Sequence, residues 1–252
     1  MRLEGAGGET AGAQPASALF FDGTGQPAES PPTLISARSS VAFGLKSLGI
    51  FYTNPAFTGV VVNLSQGSAF ALIEDCVITG DSVNNARALI WLEDAIEATI
   101  CNCNLGGAQT AVFGVTDYSH NSNAIQIYNC QFIGTVNAPI MHPNQAWLIQ
   151  GCTFEPLYSG FAGAVDCTGV GATGLSVIGC WMGDAAEGGT WIEFGGAALQ
   201  VSGNVIGDSL PSFKNRQSGV TASPRSGSGL QATPPGSTSG RTASEPLEWG
   251  ST

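Results

Sequence analysis

A cysteine column dominates the sequence and constrains what it can fold into. Aligning the phrases that resemble IQIYNCQFIG (125–134) produces one column with steps of 28, 27, 27, 22, 28 and 24 residues. Its members are Leu48, Cys76, Cys103, Cys130, Cys152, Cys180 and Asn204. Five of the seven cysteines share this column. A repeat of 20 to 50 residues is typical of solenoids and propellers.

The positions around the column predict how each repeat bends. Isoleucine or valine stands three residues before every later column member, and a large apolar residue stands two residues after it. The position directly before the column holds only Asp, Asn or Gly in these repeats, which are residues that tolerate a left-handed backbone. The apolar alternation skips one step there, so a strand turns a corner while both of its halves face one core.

These features together predict an all-β fold, a single-stranded right-handed parallel β-helix of about seven rungs of 22–28 residues. We place the helix at residues 18–210, after a disordered N-terminal segment (1–17) and before a disordered Ser/Gly/Pro-rich tail (211–252). The abrupt change of composition at both ends also fits an excerpt from a longer protein. The column cysteines are expected to be small buried hydrophobes, whereas Cys167, outside the column, is expected to be exposed.

Composition excludes several kinds of partner. The net charge is −11, and charged residues make up only 11 % of the chain. Nucleic acids and anionic membranes both call for basic surfaces, so neither is an expected partner. The sequence contains no apolar signal-peptide run, no membrane span and no zinc-ligand spacing, and we expect no metal or cofactor.

The recurring I-x-N-C-x-F phrase, FEP after Cys152 and GCWMGD at 179–184 resemble right-handed β-helix proteins of the pectin-lyase-like superfamily. The similarity is nearest to its glycosyl-hydrolase-28-related, pectate-lyase and phage-tailspike-like groups, and it covers about residues 18–210. The resemblance implies a bacterial or phage protein that acts on polysaccharide at a cell surface or virion. The polygalacturonase motifs N-T-D, D-D, G-H-G and R-x-K are absent, so no catalytic position is transferred.

One grouping predicts a site. Ten residues before the column stand Glu93, His120 and His142 in three consecutive repeats. The residues near them complete the predicted site. Glu93 and Asp117 are the predicted acid/base carboxylates, and Trp91, Asp94, Tyr118, His120 and His142 are the predicted sugar contacts. Aromatic rings beside carboxylates suit a sugar site, because a ring face stacks on sugar while polar groups fix the hydroxyls.

Two functions stay open at this point. The first is a carbohydrate-binding β-helix, for which catalysis stays open. If the chain is catalytic, hydrolysis is favoured over lyase chemistry because the rungs contain few basic residues. The second is a non-catalytic structural or adhesin-type module, with a homotrimer as its expected assembly. A second candidate face carries Glu155, Asp166, Asp184 and Trp181, with the Trp181 side chain expected to point outward.

Overall fold

The chain forms a parallel β-solenoid in a computed structural model that describes residues 2–4, 17–21, 31–54, 56–80, 85–114, 120–155, 163–168, 172–183, 191–207 and 220–222. Three sheets of eight parallel strands each run along the solenoid, and each turn contributes one strand to every sheet. In the described residues, the eight strands of each sheet form six turns in the middle of the chain and one terminal turn at each end, close to the seven rungs predicted. The all-β solenoid prediction is confirmed.

The strand bounds show the order in which the chain visits the three sheets. Sheet A contains β1 (Arg2–Glu4), β4 (Gly44–Lys46), β7 (Leu72–Glu74), β10 (Thr99–Cys101), β13 (Gln126–Tyr128), β16 (Gln145–Gln150), β19 (Thr173–Ile178) and β22 (Ala197–Ser202). Sheet B contains β2 (Ala18–Phe21), β5 (Gly49–Tyr52), β8 (Val77–Gly80), β11 (Asn104–Gly106), β14 (Gln131–Ile133), β17 (Thr153–Glu155), β20 (Trp181–Gly183) and β23 (Val205–Gly207). Sheet C contains β3 (Thr33–Ser36), β6 (Val60–Asn63), β9 (Ala88–Trp91), β12 (Val112–Phe113), β15 (Ile140–Met141), β18 (Val165–Cys167), β21 (Ile192–Phe194) and β24 (Val220–Ala222).

Two short strands lie outside the predicted helix bounds of 18–210. They are β1, near the N-terminus, and β24, which pairs with β21. Most of segments 1–17 and 211–252 lies outside the described residues, so the domain boundaries stay a prediction.

The predicted corner before the cysteine column is confirmed. Every residue directly before a column member has a positive φ, between 52° and 64°. These corner residues are Ser47, Asp75, Asn102, Asn129, Gly151, Gly179 and Gly203. Each corner joins a strand of sheet A to the following strand of sheet B, so the column residues lie just inside this edge of the solenoid.

A second left-handed corner occurs in every turn, six residues before the column. Its members share no side-chain chemistry, and their φ values lie between 51° and 84°. They are Ala42, Phe70, Glu97, Ala124, Ala146, Gly174 and Ala198. Neighbouring turns support this corner through backbone hydrogen bonds, such as Phe70 N to Ile96 O at 3.0 Å and Ala124 N to Gln145 O at 3.0 Å.

The core consists of side chains that stack on their counterparts one turn away. The column three residues before the cysteines pairs Ile73 with Ile100 and Ile127 with Ile149, all fully buried. In sheet B, the rings of Phe132 and Phe154 stack with centroids 4.9 Å apart. Each such side chain contributes roughly 1.5–3 kcal/mol on burial, so the columns stabilise the fold turn by turn.

All seven cysteines are buried and free. The five column cysteines belong to the core, as predicted. The prediction that Cys167 is exposed is wrong, because this residue is 1 % exposed. Strand β18 turns the Cys167 thiol inward, where it lies 3.3 Å from the carbonyl oxygen of Pro143. Its neighbour Asp166 is the residue of that strand that reaches partial exposure.

Candidate functional site

A second apolar cluster lies apart from the main core, at sheet C. It contains Val60, Ala88, Trp91 and Phe113, with Met141 packed against it. Trp91, Phe113 and Met141 end three consecutive strands and are ladder partners of one another. The sheet therefore stacks these large side chains in one row along the solenoid axis.

The two aromatic rings of this row pack tightly on each other. The Trp91 and Phe113 rings are nearly parallel, at 8°, with centroids 4.2 Å apart. The guanidinium of Arg87 lies 4.4 Å from the centroid of the Trp91 ring and 5.6 Å from that of Phe113. A cation over an aromatic face is stabilising by about 0.5–1 kcal/mol at an exposed position. With Trp91 only 7 % and Phe113 only 8 % exposed, the rings form the base of the site.

Polar groups surround this aromatic base. The Trp91 indole Nε1 donates a hydrogen bond to Glu93 Oε2 at 3.3 Å. The other carboxylate oxygen, Oε1, lies 3.7 Å from His120 Nδ1. Glu93 and His120 are 35 % and 42 % exposed, so both reach solvent. The carboxylate is therefore oriented from below by the indole and faces the imidazole at the surface.

His142 closes the same region from the next turn. Its ring meets the Phe113 ring edge to face, with centroids 5.2 Å apart. Its Nδ1 lies 2.9 Å from the carbonyl oxygen of Thr168. A carbonyl only accepts hydrogen bonds, so Nδ1 is the donor of this bond and Nε2 is the ring nitrogen left for other partners. We call Arg87, Trp91, Glu93, Phe113, His120 and His142 the rim site.

The structure brings four of the predicted residues together. Trp91, Glu93, His120 and His142 all belong to the rim site, although His142 occupies a different row from Glu93. The bonds Leu92 N to Phe113 O and Gly114 N to Met141 O show that His142 is in register with Leu92. Asp94 is half-buried with a φ of 57° and forms part of a bend. Asp117 and Tyr118 lie outside the described residues.

Sequence reasoning missed two members of the rim site. The segment from Phe113 to the next column cysteine, Cys130, is longer than the equivalent segments in the neighbouring turns. Counting back from the cysteines therefore did not align Phe113 with Trp91. Arg87 stands four residues before Trp91, and nothing in the repeat marks it. A clearer signal was available in the ends of the sheet C strands, where the aromatic residues Trp91 and Phe113 both precede a change to polar sequence.

Of the second candidate face, Glu155 and Trp181 lie on sheet B, whereas Asp166 lies in β18 of sheet C and Asp184 lies outside the described residues. Trp181 is 37 % exposed, so its predicted outward orientation is confirmed. Its ring lies across Gly183 in the same strand, where a side chain would collide with it. In neighbouring turns, the carboxamide of Gln131 donates to Glu155 Oε1 at 3.4 Å and accepts from Asn104 at 3.2 Å. This face is polar and hydrogen-bonded within itself.

Comparisons with known proteins concern the fold. The sequence matches no protein-family model, and no curated protein shows significant similarity to it. One similar solved structure is ORF18 of Geobacillus virus E2, at 14 % identity and a TM-score of 0.46, with 82 % of this chain and 48 % of that chain covered. The chain thus spans about half the length of that protein.

A second similar structure is an alginate lyase from Paenibacillus, at 10 % identity and a TM-score of 0.36. The match covers 78 % of this chain and 88 % of that one. At such identities and scores, neither protein's activity is transferred to this chain. Membership of the pectin-lyase-like superfamily stays an interpretation of the sequence.

Two further features of the described residues bear on function. No helix within them has the length and apolarity that a membrane span requires. Nor do three His, Cys, Asp or Glu side chains come together there in a way that would chelate a metal ion.

Proposed function

We propose that the chain is a polysaccharide-binding β-solenoid of a bacterial or phage surface, and that the rim site is part of its binding face. The observation that carries the proposal is the half-exposed pair of Glu93 and His120 held on a rigid aromatic base. Sugar sites combine apolar surface with a few oriented polar groups that fix the hydroxyls. The rim site offers both.

The polar groups differ in what they offer a sugar. Glu93 accepts hydrogen bonds, the Arg87 guanidinium donates them, and the His142 ring offers its Nε2. The Trp91 ring is only 7 % exposed, with Phe113 stacked on one face and Arg87 close to both rings, so Trp91 supports Glu93 from below. In this proposal, hydroxyl recognition by Glu93, His120 and Arg87 contributes more to binding than ring stacking does.

Hydrolysis would require a second carboxylate near Glu93. Glycosidases place their two carboxyl groups about 5–10 Å apart. Asp166 belongs to the same outer row, but it lies three strands beyond Trp91, which is roughly 14 Å at the usual strand spacing. Asp117 stays the predicted partner of Glu93, and catalysis depends on it.

Affinity electrophoresis tests the binding proposal. The protein is run in native gels that contain neutral or acidic polysaccharides, beside Glu93→Gln and a control, Glu97→Gln. Both substitutions remove one negative charge, but Glu97 lies at the exposed second corner. A hydrogen bond to a charged group contributes ~1.5–3 kcal/mol, so Glu93→Gln should weaken binding about tenfold or more while Glu97→Gln retains it. Equal retardation of both variants, or no retardation by any polysaccharide, would contradict the proposal.

Turnover is tested separately. Reducing ends and unsaturated-uronate absorbance are followed together on the polysaccharides that bind. Reducing ends that disappear in the Glu93→Ala/Asp117→Ala double variant would support hydrolysis by this pair. Unsaturated product would instead indicate a lyase, and unchanged activity in the double variant would remove both residues from the mechanism.

A second function, a structural or adhesin-type module, is favoured by one observation. Val41, Phe70 and Ile96 are 69 %, 56 % and 42 % exposed, and they follow one edge of the solenoid over three consecutive turns. Exposed apolar rows of this kind often contact protein. Under this alternative the chain packs as a homotrimer. Sedimentation equilibrium distinguishes the two functions, since a trimer that binds no glycan favours the module and a glycan-binding monomer contradicts it.

A further inference from the structure

The five column cysteines form a continuous row of thiols inside the solenoid. Their neighbours are direct ladder partners, because Val77 pairs with Asn104, Asn104 with Gln131, Gln131 with Thr153 and Thr153 with Trp181. Each of these residues directly follows a column cysteine. The short step from Cys130 to Cys152 therefore does not break the row, which contains four gaps between adjacent thiols.

The thiols also share one orientation. Each sulfur of Cys103, Cys130, Cys152 and Cys180 approaches two carbonyl oxygens, one in its own turn and one in the preceding turn. The carbonyl in the preceding turn always belongs to the residue three positions before the preceding column cysteine, at 3.6 to 3.9 Å. Identical partners imply identical rotamers. The separation of neighbouring sulfurs therefore follows the strand spacing, ~4.8 Å.

That separation matches a particular metal geometry. A metal–thiolate bond is ~2.3 Å long, as for zinc, so an ion placed linearly between two sulfurs requires them ~4.6 Å apart. Soft monovalent ions commonly bind two sulfur ligands in a linear geometry. Among the biological metals, thiolate ligands favour copper(I). Zinc, which takes four ligands, finds no such set here.

Charge balance fits the same class of ion. All five thiols are 1–2 % exposed, and an uncompensated charge at such a depth is costly. A monovalent ion avoids this cost by replacing one thiol proton: the S–H bond breaks, an S–metal bond forms and the proton leaves to solvent. The second sulfur donates a lone pair and keeps its own proton until an ion in the next gap replaces it. No electron is transferred, and the gap stays neutral.

Glycine corners at one end of the row leave the backbone over the thiols without side-chain cover of its own. Each column cysteine lies one residue inside a left-handed corner, and at Cys152 and Cys180 the corner residues are Gly151 and Gly179. Gly179 has open space where a side chain would project. This is the least obstructed end of the row.

We propose that the cysteine column is a binding site for soft monovalent metal ions of the copper(I) and silver(I) class, each ion held between the sulfurs of two adjacent turns. The site is independent of the rim site and of polysaccharide binding. Its capacity is set by the number of gaps, which is at most four. The two cysteines outside the column, Cys101 and Cys167, contribute nothing to it.

Silver(I) is the probe, because it requires no reductant. The native protein is titrated with silver nitrate in chloride-free buffer, and native mass spectrometry counts the bound ions, each adding the mass of silver less one proton. Far-ultraviolet circular dichroism is recorded at every step. We expect up to four ions in the folded wild-type protein.

The variants make the count diagnostic. Cys130→Ala removes two of the four gaps at once, so the capacity should fall from four ions to two. Cys180→Ala, at the end of the row, should leave three, and it serves if Cys130→Ala does not fold. Cys101→Ala and Cys167→Ala should still take four. The proposal is overturned if the folded protein takes up no silver, if uptake accompanies loss of the fold, or if every cysteine variant loses the same number of ions.

Discussion

The corner at Gly179 permits a sharp test of the solenoid, because only the backbone conformation distinguishes the substitutions there. Gly179 has a φ of 62°, and no atom lies within 4 Å of the place where a side chain would begin. A left-handed residue other than glycine costs ~1–2 kcal/mol. Glycine in turn loses ~0.5–1 kcal/mol more than alanine through conformational entropy. The Gly179→Ala substitution should therefore lower the free energy of unfolding by about 0.5–1 kcal/mol.

Two further substitutions at Gly179 allow the variants to be ranked by their free energy of unfolding. Gly179→Asn should be nearly neutral, since asparagine tolerates the left-handed region and already occupies the equivalent corners at Asn102 and Asn129. Gly179→Val should cost the most, because a β-branched residue is least compatible with positive φ.

Urea unfolding, followed by tryptophan fluorescence and by circular dichroism, measures the series. The two probes must agree before free energies are compared, because repeat proteins can unfold in parts. A Gly179→Ala variant as stable as the wild type, or an asparagine variant less stable than the alanine variant, would refute the left-handed corner.

Two further predictions concern the stacked columns. Phe132→Ala should destabilise the protein by about 3–5 kcal/mol, because it opens a cavity beside the stacked Phe154 ring. Phe132→Leu should cost clearly less. Equal losses of stability for the two variants in thermal unfolding would show that the column is not closely packed. Asn204→Ala should cost about 1–3 kcal/mol, because the carboxamide accepts from Cys180 N at 2.7 Å and donates to Val177 O at 3.0 Å. Amide exchange that stays slow at Cys180 in the Asn204→Ala variant would contradict this role.

The repeat made much of the fold predictable from sequence. The corner before the cysteine column was visible because Asp75, Asn102 and Asn129 combine a backbone preference with a fixed position. The second corner was not visible. Its residues include Phe70, Glu97 and Ala146, which have no preference for positive φ. Hydrogen bonds to the neighbouring turns hold them there, and such support cannot be read from one turn alone.

The candidate site was less predictable, because register at a loop depends on its length. Counting back from the cysteines aligned His142 with Glu93, whereas the sheet C ladder aligns it with Leu92. The ladder fixes the position of Met141 opposite Phe113. The segments from these two strands to their next column cysteines, Cys130 and Cys152, differ in length, so counting back from the cysteines does not give the ladder register. The pairing of Glu93 with His120 depends instead on side-chain placement, which a repeat does not encode.

The in-register stacking of the turns has a consequence for how such a molecule can change size. Residues 104–130 form one complete turn, and the position that would follow Cys103 after their removal, Gln131, already pairs with Asn104 on the ladder. Excising those 27 residues would bring together surfaces that are each built to receive an equivalent neighbour. Duplicating the same unit would lengthen the rod by ~4.8 Å. Recombination can therefore change the length of the rod by whole turns, and the turns that become neighbours still match each other.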